Sequence, residues 1–171
     1  LRRTEMFDRT IPHNTRAHGD EIIYCIFVRN FTPEGTLRAA AERMADIRAT
    51  GATMVWVMPI QPIGEVRRKG TLGSPYSIVD YTAVDPLQGT LEDAKALVAA
   101  AHEHGLRIIL DLVANHTAWD AKWKATNPEW YTRDAEGNAL PPDPGWWDVA
   151  DLDYGNPDLR AAMEAAMRFW I

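Results

Sequence analysis

The residues best placed to do chemistry are Asp111, Asn115 and His116, which close the stretch Arg107-Ile108-Ile109-Leu110-Asp111-Leu112-Val113-Ala114-Asn115-His116. An aspartate straight after an apolar strand-like run is a polar interruption where burial is expected. Burying a carboxylate costs several kcal/mol unless a cation or hydrogen-bond donors meet it. The plain alternative is a strand-end aspartate that reaches solvent or caps the next turn. Asn115 and His116 at the same strand mouth weigh against it, because three hydrogen-bonding side chains converging there form a ligand-facing rim. Zinc chemistry has no support: His102-Glu103-His104 lacks H-E-x-x-H spacing and reads as a solvated helix face, and Cys25 is the only cysteine.

The elements that must carry these residues are legible as strand-then-helix units. Apolar runs at Ile22 to Val28, Thr53 to Met58 and Arg107 to Val113 read as strands, the first of them nearly continuous, as strands buried on both faces are. Leu37, Ala40, Met44 and Ile47 fall at helical spacing and end at Gly51. Thr90 caps a second helix, with Asp93 placed to reach back to it; Leu91, Ala94, Leu97, Val98 and Ala101 form its inward stripe before Gly105. Asn156-Pro157 reads as a cap and first turn, followed by a stripe of Leu159, Met163, Ala166 and Trp170.

Returns from helix to strand are tight, whereas the exits Arg29 to Gly35, Pro59 to Gly89 and Ala114 to Gly155 are longer. Long exits at the C-terminal ends of parallel strands are where an α/β fold keeps its site. A doubly wound nucleotide-binding fold obeys the same rule, but Arg29 to Gly35 holds neither G-x-G-x-x-G nor a P-loop, so the barrel is favoured.

Composition agrees. The chain has 171 residues, 46% of them hydrophobic and 25% charged, with a formal charge of −6, so it reads as a globular polypeptide. An acidic chain without basic clusters argues against nucleic acid and anionic membranes as main partners and leaves neutral sugars open. No apolar stretch approaches a membrane span, and the opening residues lack the apolar core of a signal peptide. There is no initiator Met and the last residues lie inside an apparent helix, so both ends read as cuts. Residues 1–20 read as an extension or linker.

Several segments together resemble the α-amylase family of glycoside hydrolases (glycoside hydrolase family 13). Asp111 to His116 resembles its third-strand motif D-x-x-x-N-H. Gly51 to Pro59 is similar to its second-strand motif, and Tyr76 to Tyr81 followed by Val84-Asp85-Pro86 to the stretch between them. Gly89 to Asp93 resembles the next helix start, and Ala150 to Asp153 a short motif near the end of the inserted B domain. Ile23 to Arg29 resembles the first strand, though many relatives carry Glu or Gln where this chain has Cys25. The matches run in order from about Glu21 to Ile171.

The resemblance implies a partial (β/α)8 TIM barrel over residues 21–171, its first three β/α units, with a short B-domain-like insertion at 117–155. It implies that Tyr76 stacks on the sugar to the non-reducing side of the cleaved bond and that His116 donates to a hydroxyl of the same sugar. Asp111 would position an arginine of the fourth strand. Asn115 and Asp151 match positions that bind a structural calcium in many relatives, while other relatives keep similar residues without a metal; no organic cofactor is implied. The substrate implied is a starch-like α-glucan or maltooligosaccharide.

Retaining cleavage needs two carboxyl groups ~5–5.5 Å apart, and the family takes them from later strands, so no catalytic nucleophile is expected here. Arg133-Asp134 sits in a turn-rich stretch with the wrong spacing. A three-strand portion alone is expected to be loosely packed and catalytically silent, with exposed edges. Transglycosylation or isomerisation on the same barrel, and a non-catalytic sugar-binding homologue, stay open. Trp119, Trp123, Trp130, Trp146 and Trp147 are expected mainly to build the core of the inserted loop, with one or two of them facing substrate.

Overall fold

The computed structural model describes residues 20–171; the stretch read as an extension or linker, except its last residue, lies outside them. The described residues form two compact units, the first from residues 20–58 with Pro86–Asp111, the second from Pro59–Asp85 with Leu112–Trp170.

The first unit is a parallel sheet in the order β1 (Ile23–Ile26), β2 (Met54–Val57), β3 (Arg107–Leu110), with the short helices α1 (Val28–Phe31), α2 (Leu37–Ala41) and α3 (Met44–Ala49) and the longer α4 (Leu91–Glu103). The register places Cys25, Trp56 and Ile109 in one row and Ile26, Val57 and Leu110 in the next. Successive side chains leave opposite faces of a strand. One face therefore carries Ile26, Val55 and Val57, which are buried with Leu37, Met44, Ile47 and Leu97. Each such side chain contributes about 1.5–3 kcal/mol of burial.

The first strand departs from expectation. Ile22 and Ile23 are more than half exposed and only Ile26 of β1 is buried. Among the described residues β1 lies at the edge of the sheet, beside β2 alone. The strand is also shorter than its apolar run: a bond from Asn30 N–H to Phe27 O turns the chain into α1. The stripe Leu37 to Ile47, read as one helix, is two. The Arg43 N–H reaches only three residues back to Ala40 O, and this tight turn separates α2 from α3 without disturbing the stripe.

The predicted caps are present. Thr90 Oγ1 accepts from the Asp93 N–H while Asp93 accepts from the Thr90 N–H, a reciprocal box that starts α4. Gly51 and Gly105 follow their helices at φ +93° and +69°, a left-handed conformation that glycine adopts without steric cost.

The second unit contains β4 (His116–Ala118) antiparallel to β5 (Val149–Asp151), the short helix α5 (Lys122–Thr126), a 3-10 turn at Pro128–Trp130, and α6 (Pro157–Phe169). Asn156 caps α6 through bonds from the Asp158 and Leu159 N–H groups, with Pro157 in the first turn. Of the expected stripe Leu159, Met163 and Ala166 are buried and pack with Ile78, Tyr81, Val113 and Trp130, whereas Trp170 lies just past the end of α6 and is half-buried. Of the five loop tryptophans, Trp130 is buried, and Trp123 lies between Tyr81, tilted against it with ring centroids 4.6 Å apart, and Trp130, edge-on at 5.4 Å. Trp119 is half-buried, whereas Trp146 and Trp147 stay about half exposed. No described helix is long and apolar enough to cross a membrane.

Candidate functional site

Asp111 belongs to the first unit. It follows β3, and its N–H extends the ladder by one bond to Val57 O. Alternation puts its side chain in line with Ile109, on the face that carries Trp56 and Cys25. Trp56 Nε1 donates to Asp111 Oδ2 at 3.2 Å. The Cys25 thiol titrates higher than usual, from partial burial and then from the Asp111 charge. Asp111 is half-buried, so the expected desolvation is only partial and an indole donor meets it.

Tyr76, Asn115, His116 and Asp151 are in the second unit. β4–β5 pairing sets His116 directly opposite Asp151. The turn leading into β4 is pinned at every carbonyl. The Tyr81 hydroxyl shares its one proton between Val113 O at 2.7 Å and His116 O at 2.8 Å. Tyr154 donates to Ala114 O, and the Leu152 N–H donates to Asn115 O at 3.2 Å. Burial, then the neighbouring Tyr154 and Tyr131, push the Tyr81 hydroxyl well above its usual range, so it stays a donor.

The His116 ring is nearly buried and its partners define its state. Nδ1 faces the amide nitrogen of Asn115 at 3.1 Å. An amide NH2 only donates, so Nδ1 accepts and the proton of the neutral ring sits on Nε2. A ring N–H also bonds the backbone carbonyl of Tyr76. Burial lowers the His116 pKa below 6.5, outweighing the Tyr76 carbonyl and the charges of Asp148 and Asp151, which act the other way. His116 is therefore neutral at pH 7. Trp146 meets it edge-on, with ring centroids 5.7 Å apart.

Tyr76, Asn115, His116 and Trp146 border one cavity of about 460 Å³, which Asp151 does not line. Tyr76, Trp146 and Pro142 supply apolar faces, and Asn115, His116 and Asp143 supply hydrogen-bonding groups. Apolar faces alternating with a few polar groups suit a neutral polyol, whose C–H surface stacks while its hydroxyls exchange hydrogen bonds. Trp146 and Asp143 were not singled out as site residues from sequence. The only advance signal was the tryptophan-rich loop, which does not tell Trp146 from Trp147.

A calcium ion takes six to eight oxygens. With its nitrogen on His116, the Asn115 amide offers Oδ1. Asp151 Oδ2 accepts from Thr132 Oγ1 at 2.7 Å, which leaves Oδ1. Those donors fit calcium in kind but supply only part of its shell, and among the described residues no three His, Cys, Asp or Glu side chains are grouped so as to hold a metal ion.

Comparison with known proteins decides what frame this site belongs to. The family description "Alpha amylase, catalytic domain" matches residues 4–141. The chain belongs to the α-amylase family. Among its relatives, an α-1,4-glucan:maltose-1-phosphate maltosyltransferase of Rhodospirillum rubrum is 35% identical over 80% of this chain and 22% of the relative. A malto-oligosyltrehalose trehalohydrolase of Deinococcus radiodurans is 34% identical over 90% of this chain and 24% of the relative. An α-amylase structure from Lactobacillus plantarum superposes with a TM-score of 0.86 at 43% identity, covering 88% of this chain and 36% of that one. This α-amylase-family chain thus spans between about a fifth and two fifths of the proteins it matches. Its relatives include both hydrolases and glucan transferases.

Proposed function

We propose that this chain supplies the sugar-holding front of a (β/α)8 barrel that cleaves α-glucosidic bonds of starch-like glucans or maltooligosaccharides with retention. In this reading β1, β2 and β3 are the first three barrel strands and residues 117–155 the B-domain-like insertion. The nucleophile and the acid/base come from strands outside the chain. The observation that carries the reading is the cavity bordered by Tyr76, Asn115, His116 and Trp146 in a chain of this family. An α-amylase structure from Geobacillus thermoleovorans with acarbose bound, 29% identical to this chain, supports the substrate class.

The chemistry follows from the groups present. Tyr76 takes the C–H face of a pyranose. His116 is neutral with its proton on Nε2, so a sugar hydroxyl that accepts from the ring competes with or shares the Tyr76 carbonyl bond. Asp111, steadied by Trp56, is a positioning residue for a cation on the next strand. Asn115 and Asp151 would give two oxygens to a structural calcium whose other ligands lie elsewhere, and that ion would brace the start of the insertion without entering the bond chemistry.

The test is turnover of maltotriose by the full-length protein, with free glucose and longer transfer products measured together. Hydrolysis is expected to dominate. His116→Ala is expected to lower kcat/KM by roughly 2- to 10-fold, the loss of the one hydrogen bond that Nε2 can give a sugar hydroxyl. No turnover of any maltooligosaccharide by the full-length protein would sink the enzymatic reading in favour of a sugar-binding homologue. A product mixture dominated by transfer would favour the second reading, glucan transfer, which the similarity to maltosyltransferases supports.

A further inference from the structure

A second cavity of the same unit, about 430 Å³ in volume, shares no lining residue with the first. Arg67, Lys124 and Arg133 line it with Trp119 and Asn138, and no carboxylate residue does. That is unusual in a chain whose formal charge is −6. Among the described residues none of the three cations is paired with a carboxylate, although Lys122, Arg68 and Lys69 nearby all are.

The cations are held in place by the protein itself. The guanidinium of Arg67 lies over the Trp119 ring at 3.9 Å from its centroid, and the ammonium of Lys124 stands 5.3 Å from the same ring. Trp119 is oriented in turn by a bond from Nε1 to Trp147 O at 2.9 Å. Asp120 Oδ2 accepts from the Glu65 and Val66 N–H groups at 2.8 and 3.3 Å, which fixes the turn just before Arg67. Arg133 bonds the carbonyls of Gly137 and Pro128, so its position too is set by backbone. The adjacent Asp134 is engaged by the backbone and side-chain nitrogens of Asn138.

Two features of this arrangement work against stability. Arg67 has φ +58°, the one non-glycine residue in the left-handed region among the described residues. Three like charges around one concavity repel each other with no carboxylate to offset them. An anion in the cavity removes that repulsion, and planar guanidinium forks match the oxygens of a phosphate group.

We propose that this cavity is a binding site for a phosphate group, either free or borne by a sugar, distinct from the neutral-sugar cavity at Tyr76 and His116. Arg67 and Lys124 supply charge over the Trp119 platform, and Arg133, bonded to the carbonyls of Gly137 and Pro128, supplies the wall.

The test is calorimetric titration of the full-length protein with inorganic phosphate, glucose 6-phosphate and glucose, each at two salt concentrations. Arg67→Gly and Lys124→Met serve as variants. Glycine accepts φ +58° without strain and methionine keeps the lysine stem, so both are expected to fold. Phosphate is expected to bind, more weakly as salt rises, and each variant is expected to raise its Kd by roughly tenfold or more. Equal affinity for inorganic phosphate and glucose 6-phosphate identifies a free-phosphate site, and tighter binding of glucose 6-phosphate a sugar-borne one; either supports the assignment. No detectable phosphate binding to the unmodified protein, or a Kd in both variants unchanged from that of the unmodified protein, overturns it. Turnover of maltotriose, which reports on the other cavity, is expected to be unchanged in both variants, so failure here is separable from failure of the glycosidase reading.

Discussion

Replacing Tyr81 by Phe takes one oxygen from the second unit and leaves its packing in place. The ring stays against Trp123, with centroids 4.6 Å apart, so no cavity is created. The lost hydroxyl is the donor that Val113 O and His116 O share. Both residues are only 7% exposed, so water does not readily replace it. A neutral hydrogen bond contributes about 0.5–1.5 kcal/mol, and leaving a buried acceptor without a partner costs about 1–3 kcal/mol. With two carbonyls sharing one proton, Tyr81→Phe is expected to destabilise by about 1–3 kcal/mol.

Urea denaturation of the full-length protein, followed by near-UV circular dichroism of the tryptophans, measures this directly. Burial holds the Tyr81 hydroxyl protonated well above neutral pH, so the loss should be the same from pH 6 to 9. The turn it pins carries Asn115 and His116, so KM for maltotriose should rise as well. A change below about 0.5 kcal/mol, the lower edge for one hydrogen bond, would show that the carbonyls find other donors and refute the pinning argument.

Protonation of His116 should also be visible. Its folded pKa is lowered below 6.5 chiefly by burial, so between the folded and unfolded values the unfolded chain binds more protons. The resulting stability is fully present above pH 6.5 and is lost as pH falls through the folded pKa. The urea midpoint is expected to decline more steeply below pH 6.5 in the unmodified protein than in His116→Gln, and parallel profiles would contradict this. Lys69→Met removes the partner of Asp148, whose side chain is 7% exposed, while Lys69 itself is 39% exposed. Breaking a fully buried pair costs about 3–5 kcal/mol, but water already screens the lysine end, so a loss of about 1–3 kcal/mol is expected in the same denaturation assay. A double variant with Asp148→Asn should recover part of it, and no recovery would place the effect elsewhere.

Features that depend on neighbours in the chain were legible from sequence. The apolar runs around Ile23, Met54 and Arg107 became the three parallel strands, because side-chain alternation and β-branching act over four to six residues. The reciprocal Thr90–Asp93 cap and the Asn156-Pro157 start of α6 lie within three residues of the bonds they make. One misreading has a plain cause. Periodicity reports which residues face the core, not whether the backbone between them is continuous, so α2 and α3 read as one helix.

What tertiary structure alone decided lies in bonds between distant residues. Asp111, Asn115 and His116 are neighbours in sequence, yet Tyr76, Tyr81, Trp146 and Asp151 join the second-unit part of that set only because loops many residues apart fold back on it. Nothing local distinguishes Trp146, which borders a cavity, from Trp147, or marks Arg67 as the residue that will lie on Trp119. Residue types and short-range spacing determined the strands, the caps and the candidate polar rim. The path of the long loops determined which side chains meet there, because a side-chain bond to a remote carbonyl depends on the position of the whole backbone and not on the sequence beside either partner.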